Sequence, residues 1–320
     1  MSEQGGTSGA TAGAGVAGGG ALWGFVWVAM AAASWGTWPL ILRAAEARAP
    51  MDTALESAVT FAVVALVSGP LVLKDRLAAR ANLRAWVGVV WLGVGDALNV
   101  LFFFRAYQLT SVAIAVLTHY LAPVFVALAA PLVLRERFDR RSAVAALLSF
   151  AGLFLLLAPW RAEGRTTDLA GALLGATSAV FYASNVLTNK RLSTVFSGSE
   201  MTFYHGLVAV PLMALMVPRA SWAGVDRHAL GILLIGAIGP GALAGLLFVW
   251  GLRRVRASQA SPLTLLEPLV AVILGATVFH ETLAPTAMLG GALILFGAGL
   301  VVSANRAPTV APPEVAERGG

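Results

Sequence analysis

The chain alternates between apolar stretches long enough to cross a membrane and short polar connections. A bilayer core about 30 Å thick needs roughly 20 apolar residues in one helix. Ten intervals fit this requirement, here called spans 1 to 10: Leu22–Leu42, Thr53–Leu73, Ala85–Phe104, Ser111–Leu134, Ala143–Pro159, Leu169–Leu187, Met201–Val217, Leu230–Leu252, Ala257–Phe279 and Leu283–Ser303. The sequence therefore predicts an all-α integral membrane protein with ten transmembrane helices.

Composition excludes several classes of protein. Charged residues make up 12% of the chain, half the ~25% typical of a soluble domain, so a water-covered surface is excluded. The chain has no cysteine, which excludes disulfides, thiolate metal sites and a cysteine nucleophile. The connections are too short for a soluble catalytic domain, and the sequence contains no HExxH, phosphate-loop or GxSxG motif. We therefore expect no enzyme activity, no cofactor and no metal site.

The basic residues are distributed unevenly between the two sides of the predicted bundle. Of the 22 Lys and Arg, fifteen fall on the side that would hold both termini and seven on the opposite side. Because cytoplasmic loops carry the excess of basic residues, both termini are expected to be cytoplasmic, in a cytoplasmic (inner) membrane. The net charge of +6 is thus a topology signal, and no nucleic-acid partner is expected. Residues 1–21 and 304–320, rich in small residues and in proline, are expected to be disordered tails.

The same five-span unit occurs twice. Pro123 matches Pro268 and Glu136 matches Glu281, each at a separation of 145 residues without a gap. Residues 22–160 and 168–303 are therefore predicted to be two repeats. Because five is odd, the second repeat must cross the membrane in the opposite direction. The loop after span 4 accordingly has four basic residues and that after span 9 has none. Inverted repeats around a midplane site are typical of secondary carriers.

The segments HYLAPVFVALAAPLVLRE and LLEPLVAVILGATVFHE each combine a mid-helix proline with a glutamate at the helix end. With a glycine in the last helix of each half, this pattern resembles the drug/metabolite transporter superfamily, and within it the ten-helix EamA-type transporters. The resemblance covers residues 22–303. It implies transport of amino acids, other small metabolites or nucleotide-linked sugars without an ATPase subunit. It also implies a central cavity surrounded by spans 1, 3, 4, 6, 8 and 9.

Two acidic residues are predicted to lie near the middle of the membrane. Asp96 falls near the centre of span 3, with Asn99 on the same helix face, and Glu267 near the centre of span 9; Glu56 lies close to the end of span 2. An ionised group at mid-bilayer costs at least ~2.5 kcal/mol, and no Lys or Arg lies in the middle of any span. The acids therefore indicate a cationic substrate group, a coupled cation, or protonated neutral carboxyls.

Two prolines are predicted to kink the spans that carry polar residues. Pro268 directly follows Glu267 and removes a helix hydrogen bond, so free carbonyls beside the carboxyl group form a candidate cation or ammonium site. The alternative is a protonated Glu267 that only joins two helices. Pro123 follows His119 by four residues, and His119, with Tyr120 beside it, is a candidate proton relay. The alternative for His119 is a hydrogen-bonded core residue.

Polar and aromatic residues also match between spans 1 and 6. Trp35 and Trp38 are predicted to share a face of span 1, and Tyr182 and Asn185 occupy the matching positions 147 residues later. Aromatic faces attract ammonium groups, so these four residues are candidates to line the cavity; the alternative is simple packing. His205, near the start of span 7, is expected to lie at the membrane interface.

These patterns together predict a secondary transporter of a small polar metabolite. We expect an amino acid or related ammonium compound as substrate, export by alternating access, protons as a candidate coupling ion, and membrane lipid as the surroundings. The alternatives are an intramembrane enzyme, a channel, or a carrier of the same family for a sugar-like or nucleotide-linked substrate.

Overall fold

The computed structural model describes residues 10–75, 81–161 and 169–304, with side chains of the first helix described from residue 20. These ranges are almost entirely helical and contain no strand. Ten helical segments, α1 to α10, follow the ten predicted spans: α1 Ala10–Trp35 with its continuation Trp38–Glu46, α2 Thr53–Asp75, α3 Leu83–Leu109, α4 Val112–His119 with Ala122–Val133, α5 Arg140–Leu157, α6 Leu169–Leu192, α7 Gly198–Met216, α8 Arg227–Arg254, α9 Ala257–Val278 and α10 Pro285–Ala304.

Nine of these segments, within the described ranges, are long and apolar enough to cross a membrane. The remaining one, α7, is a continuous helix of 19 residues whose first turns carry the polar residues Ser199, Glu200 and Thr202. It packs along α2 and α3, and both of these helices are long and apolar enough to cross a membrane. The prediction of an all-α integral membrane fold is confirmed, with α7 as its least apolar helix.

Several helices begin outside the apolar stretches that predicted them, because polar capping residues precede those stretches. The Asn82 side chain accepts a hydrogen bond from the Ala85 N–H before α3, and Asp139 caps the start of α5. At α7, Ser197 and Glu200 form a reciprocal capping box. The backbone of α1 extends to Ala10, into the stretch expected to be a tail. Residues 1–9 and 305–320 lie outside the described residues.

The most extensive helix contacts join one half of the chain to the other. α1 packs along α8, α3 along α6, α2 along α7, and α5 along α10. Each of these pairings is preserved when every helix number is shifted by five, as two copies of one unit require. We call the side where α1 begins and α10 ends the termini face, and the other side the opposite face. Antiparallel α1 and α8 bring Gly24 close to Arg254 at the termini face.

Four helices are interrupted within their length. α1 turns at Gly36–Thr37, and α4 is interrupted at residues 120–121, just before Pro123. α8 contains a π-helical turn at Ala237–Leu243, and α9 a 3₁₀ turn at Ser261–Leu265. Irregular backbone at membrane depth persists only where it is buried in protein or lines a cavity. The interruptions therefore mark α1, α4, α8 and α9 as the helices that border the interior site.

The crossing of α5 and α10 depends on glycine. A Cβ atom built on Gly290 would lie 2.4 Å from the Gly152 carbonyl oxygen and 2.6 Å from the Leu156 nitrogen. Both of these are backbone atoms, so they cannot move aside without shifting α5. The two helices therefore approach each other as closely as their main chains allow, in the manner of small-residue contacts between membrane helices.

We expect Gly290→Ala to separate α5 from α10 and to lower stability by about 1–3 kcal/mol, the typical cost of overpacking. The measurement is the Tm of the purified protein in detergent. Gly299→Ala is the matched control, because it lies on the same helix and a Cβ there meets nothing within 4 Å. Equal Tm values for the two variants would contradict the close backbone contact.

Candidate functional site

Glu267 lies where three interrupted helices meet. It occupies the first turn of Leu266–Val278, directly after the 3₁₀ turn of α9. The bend of α1 packs onto its main chain, since a Cβ on Gly36 would lie 2.6 Å from the Glu267 carbonyl oxygen. From α4, the Tyr120 hydroxyl lies close enough to the Glu267 carboxyl group to interact with it. The side chain of Glu267 keeps partial solvent access, so it borders interior space.

Three tyrosines lie near the Glu267 carboxyl group. Tyr107 of α3, Tyr120 of α4 and Tyr182 of α6 are all near enough to interact with it electrostatically. Within the described ranges, no Lys, Arg or His forms an ion pair with Glu267. A phenol hydroxyl can donate a hydrogen bond to a carboxylate, and the face of a phenol ring attracts an ammonium group. The site thus has one carboxyl group, several aromatic rings and, among the residues that the structure describes, no basic side chain paired with Glu267.

His119 is fixed beside this group by a hydrogen bond and by ring packing. Its Nδ1 lies 2.8 Å from Ser178 Oγ, and Ser178 Oγ donates its only proton to the Gly175 carbonyl at 2.7 Å. His119 Nδ1 must therefore carry a proton and donate it to Ser178 Oγ. The imidazole stacks on Tyr182, with ring centroids 5.3 Å apart, and packs against Phe103 at 4.3 Å. These contacts position the Tyr182 ring; the proton-relay role of His119 stays a prediction.

A second polar cluster joins α3, α6 and α7. Asn185 Nδ2 donates to Asp96 Oδ1, and His205 Nε2 lies 3.0 Å from Asp96 Oδ2. His205 Nδ1 lies 2.9 Å from the Met201 carbonyl. A carbonyl only accepts, so Nδ1 carries a proton. The contact between Nε2 and Oδ2 then holds one more proton, either on the imidazole or on the carboxyl group.

His205, expected to lie at the membrane interface, has a side chain that faces the interior of the bundle; its depth in the membrane stays a prediction. Its side chain is only 14% exposed, and its ring packs edge-on against Phe61 of α2 at 6.2 Å. The reason is that α7 packs against both α2 and α3, which turns the polar start of α7 toward Asp96. No signal within the chain could reveal this contact, because the helix rotation that creates it is set by tertiary packing.

The other predicted residues lie on α3, α6 and α1. Among the described residues, Asn99 and Asn185 each have a buried side-chain oxygen without a hydrogen-bond partner, so unsatisfied acceptors lie on α3 and α6. Trp35 packs against Phe248 of α8, with ring centroids 5.2 Å apart. Trp38 follows the break in α1 and packs near Gly236 instead. Trp35 and Trp38 therefore contact different levels of α8 rather than one common surface.

The two faces of the bundle are packed differently. At the termini face, all nine residues of Ala257–Leu265 are buried. In the other half, six of the nine matching residues, Val112–Tyr120, keep partial or full exposure. Because the two segments occupy equivalent positions in the repeat, this difference is one of conformation. At the start of α9 the bundle is closed at the termini face, whereas the matching start of α4 is more exposed at the opposite face.

Polar contacts account for the closed face. Glu136 accepts hydrogen bonds from the Ala257 N–H and the Ser258 hydroxyl, both at 3.1 Å. Lys190 donates to carbonyls at the end of α8, including Leu252 at 2.8 Å. The counterpart of Glu136, Glu281, instead forms a 3.0 Å ion pair with Arg43 in which both side chains are 54% exposed. Glu136 therefore connects α4 to α9 at the termini face, whereas its repeat counterpart Glu281 is exposed at the opposite face.

Comparisons with known proteins agree on the class of molecule. The EamA-like transporter family matches this chain twice, over residues 22–158 and 169–303. An uncharacterized transporter of Archaeoglobus fulgidus is 34% identical over 211 residues, covering 64% of this chain and 73% of the relative. A riboflavin transporter of Vibrio cholerae is 32% identical over 116 residues, covering 36% and 37%. A protein of known crystal structure aligns with a TM-score of 0.74 at 22% identity, covering 88% of this chain and 97% of that one.

Proposed function

Because this chain belongs to the EamA-like transporter family, we propose that it is a secondary carrier which exports an amino acid or related ammonium compound. That it is a multi-pass membrane transporter rather than an enzyme follows from the family. The substrate class rests on one observation: the Glu267 carboxyl group interacts electrostatically with Tyr107, Tyr120 and Tyr182 and has no basic partner among the described residues.

The chemistry of the Glu267 site favours a substrate ammonium group. The carboxylate supplies the counter-charge, and the aromatic rings of the tyrosines supply quadrupoles that attract a cation. The 3₁₀ turn of α9 directly precedes Glu267, and Pro268 after it has no N–H to donate within the helix. On this proposal the unsatisfied Asn99 oxygen accepts from a second polar group of the substrate. A neutral sugar would leave the carboxylate without a counter-charge, which is costly in a low-dielectric interior.

Alternating access would require the contacts that close the termini face to break while the matching contacts form at the opposite face. The described conformation is closed at the termini face, where Glu136 and Lys190 connect α4 and α6 to the ends of α8 and α9. In the alternate state, the matching residues Glu281 and Arg43 would close the opposite face in the same way. We also propose a cytoplasmic membrane with both termini in the cytoplasm, supported by the fifteen-to-seven distribution of Lys and Arg.

The contact between Asp96 and His205 is the candidate proton-coupling element. It shares one proton, as its geometry requires, and it is connected to the substrate site through Tyr182, which interacts electrostatically with both Asp96 and Glu267. The other groups that face it are the Asn185 amide, the Phe61 ring and the Met201 carbonyl, none of which titrates. A second proton on this pair would give it net positive charge and oppose an ammonium group nearby.

The test is transport by purified protein in liposomes, with and without a pH gradient. We expect counterflow of radiolabelled amino acids or amines, faster with a gradient, and no movement of neutral sugars. Asp96→Asn is expected to retain counterflow but to lose most of the increase in rate that the pH gradient causes. The reason is that an amide at position 96 and His205 could no longer exchange the proton that Asp96 and His205 share. Movement of sugars or riboflavin in place of amines would overturn the substrate class, and undiminished stimulation of Asp96→Asn would overturn the coupling assignment.

A further inference from the structure

Two adjoining cavities lie between α4 and α6. The first is an apolar groove of about 500 Å³ between Ala122–Val133 and α6, lined by residues such as Phe125, Ala129 and Val180. The second is a polar cavity of about 900 Å³ at the termini face. Leu132 and Val133 line both cavities, so the groove leads directly into the polar cavity. Leu132 is 84% exposed, which leaves the groove open toward the membrane lipid.

The polar cavity carries an excess of positive charge. Its walls contain the basic residues Arg135, Lys190, Arg191 and Arg253 and one carboxylate, Glu136. Three of these charges are used within the protein, because Lys190 and Arg253 donate to main-chain carbonyls and Glu136 accepts from the start of α9. Arg135 and Arg191 are exposed, and their guanidinium groups make no hydrogen bond or ion pair within the described part of the chain.

These two arginines have no arginine counterparts at the matching positions of the other repeat. The residues that match Arg135 and Arg191 in the other half are His280 and Ala44. Arg135 and His280 share the same left-handed backbone turn, with φ of 56° and 55°, so the turn belongs to both halves. A left-handed conformation is uncommon for a residue with a side chain. The left-handed turn is therefore common to both halves. The two arginines are not, because the matching positions in the other half hold His280 and Ala44.

We propose that the groove and the cavity together bind one anionic phospholipid. An acyl chain fits the apolar groove, which opens sideways to the bilayer, and the headgroup phosphate pairs with Arg135 and Arg191. Guanidinium groups bind phosphate oxygens in a bidentate manner, and basic pockets between membrane helices at the cytoplasmic side recognise anionic headgroups. The apolar groove selects a lipid over a soluble anion, because a free phosphate has nothing to place there.

The site also adjoins the contacts that close the termini face. Lys190 and Glu136, which hold the ends of α8 and α9, line the same cavity as the proposed phosphate position. A lipid bound between α4 and α6 would stabilise these contacts and favour the closed termini face. Lipid binding itself does not depend on which solute is carried, so it can be tested without any transport measurement.

The test measures lipid retention by delipidated, detergent-purified protein using native mass spectrometry. Phosphatidylglycerol and phosphatidylcholine with identical acyl chains are the probes. We expect one tightly held phosphatidylglycerol per protein and no comparable phosphatidylcholine. Arg135→Gln with Arg191→Gln is expected to weaken that binding roughly 10- to 30-fold, at about 1 kcal/mol per basic residue. The control Arg84→Gln with Arg140→Gln removes the same charge from exposed positions at the same face and should bind as the wild type does.

A second variant tests the groove without changing any charge. Ala129→Trp fills the groove between α4 and α6 and is expected to lower phosphatidylglycerol retention while a normal Tm shows that the fold is intact. Inorganic phosphate, added in place of lipid, is expected neither to raise the Tm nor to displace the lipid. Equal retention by the Arg135/Arg191 variant and its control would overturn the proposal. Displacement by inorganic phosphate, with Ala129→Trp behaving as wild type, would also overturn it and assign the cavity to a soluble anion.

Discussion

Glu267→Gln is expected to lower transport of an ammonium solute roughly 30-fold or more. Removing one member of a buried, hydrogen-bonded charge pair costs about 2–5 kcal/mol, and each 1.4 kcal/mol is a factor of ten in affinity. The amide has nearly the same shape as the carboxyl group, and Tyr120 can still donate to its oxygen. The protein should therefore fold normally and lose only the negative charge that the substrate pairs with.

Initial rates of counterflow in liposomes, measured over a range of substrate concentrations, give the result. Glu46→Gln is the matched control, because it is the same chemical change at an exposed position at the end of α1. Glu267→Asp keeps the charge and should recover part of the activity. If Glu267→Gln transports as well as Glu46→Gln, the carboxylate is not the counter-ion and Glu267 only connects α4 to α9.

Glu136→Gln is expected to open the termini face. The neutral amide weakens two hydrogen bonds that hold the start of α9, and bonds to a charged group contribute about 1.5–3 kcal/mol each. A shift of 1.4 kcal/mol already changes the population of an alternate state tenfold. Because the natural chain has no cysteine, single cysteines report access directly. We expect Ser261→Cys, buried in the closed state, to react about ten times faster with an impermeant thiol reagent in the Glu136→Gln background.

Leu117→Cys reports the opposite face, where the matching segment is partly exposed, and its labelling should slow as that of Ser261→Cys accelerates. Glu281→Gln is the control, because it is the repeat counterpart of Glu136 and does not hold the termini face. Accelerated labelling of Ser261→Cys by both substitutions would argue for general loosening rather than exchange between two states. Labelling in right-side-out and inside-out vesicles also shows whether the termini face is cytoplasmic, as proposed.

Much of this architecture follows from local sequence properties. Membrane spans are predictable because each helix must satisfy its own backbone in lipid, and the repeat is visible because matched positions such as Pro123 and Pro268 keep one spacing. Glu267 could be found for a similar reason, since an acidic residue beside a proline in an apolar span is conspicuous. Helix starts were displaced by caps such as Asn82 and Ser197, whose hydrogen bonds act outside the apolar window.

The partnerships between helices could not be predicted in the same way. Asp96, Asn185 and His205 lie on three different helices, and their contact depends on how each helix is rotated about its axis. Hydropathy constrains that rotation weakly in a helix that is apolar on every side. The break in α1 at Gly36–Thr37 was missed as well. Its local signals are Gly36 at the break and Pro39 in the first turn of the continuation, whereas the close contact of Gly36 with Glu267 is visible only in three dimensions.

The pairing of helices across the two halves has a consequence for biogenesis. Since α1, α2, α3 and α5 find their most extensive partners in α8, α7, α6 and α10, the first five helices enter the bilayer before those partners have been synthesised. During that interval Gly152 of α5 lacks its contact with Gly290. Assembly of the mature bundle therefore waits for the last helix to leave the ribosome, and a chain truncated before α10 would leave α5 without the partner that it packs against most extensively.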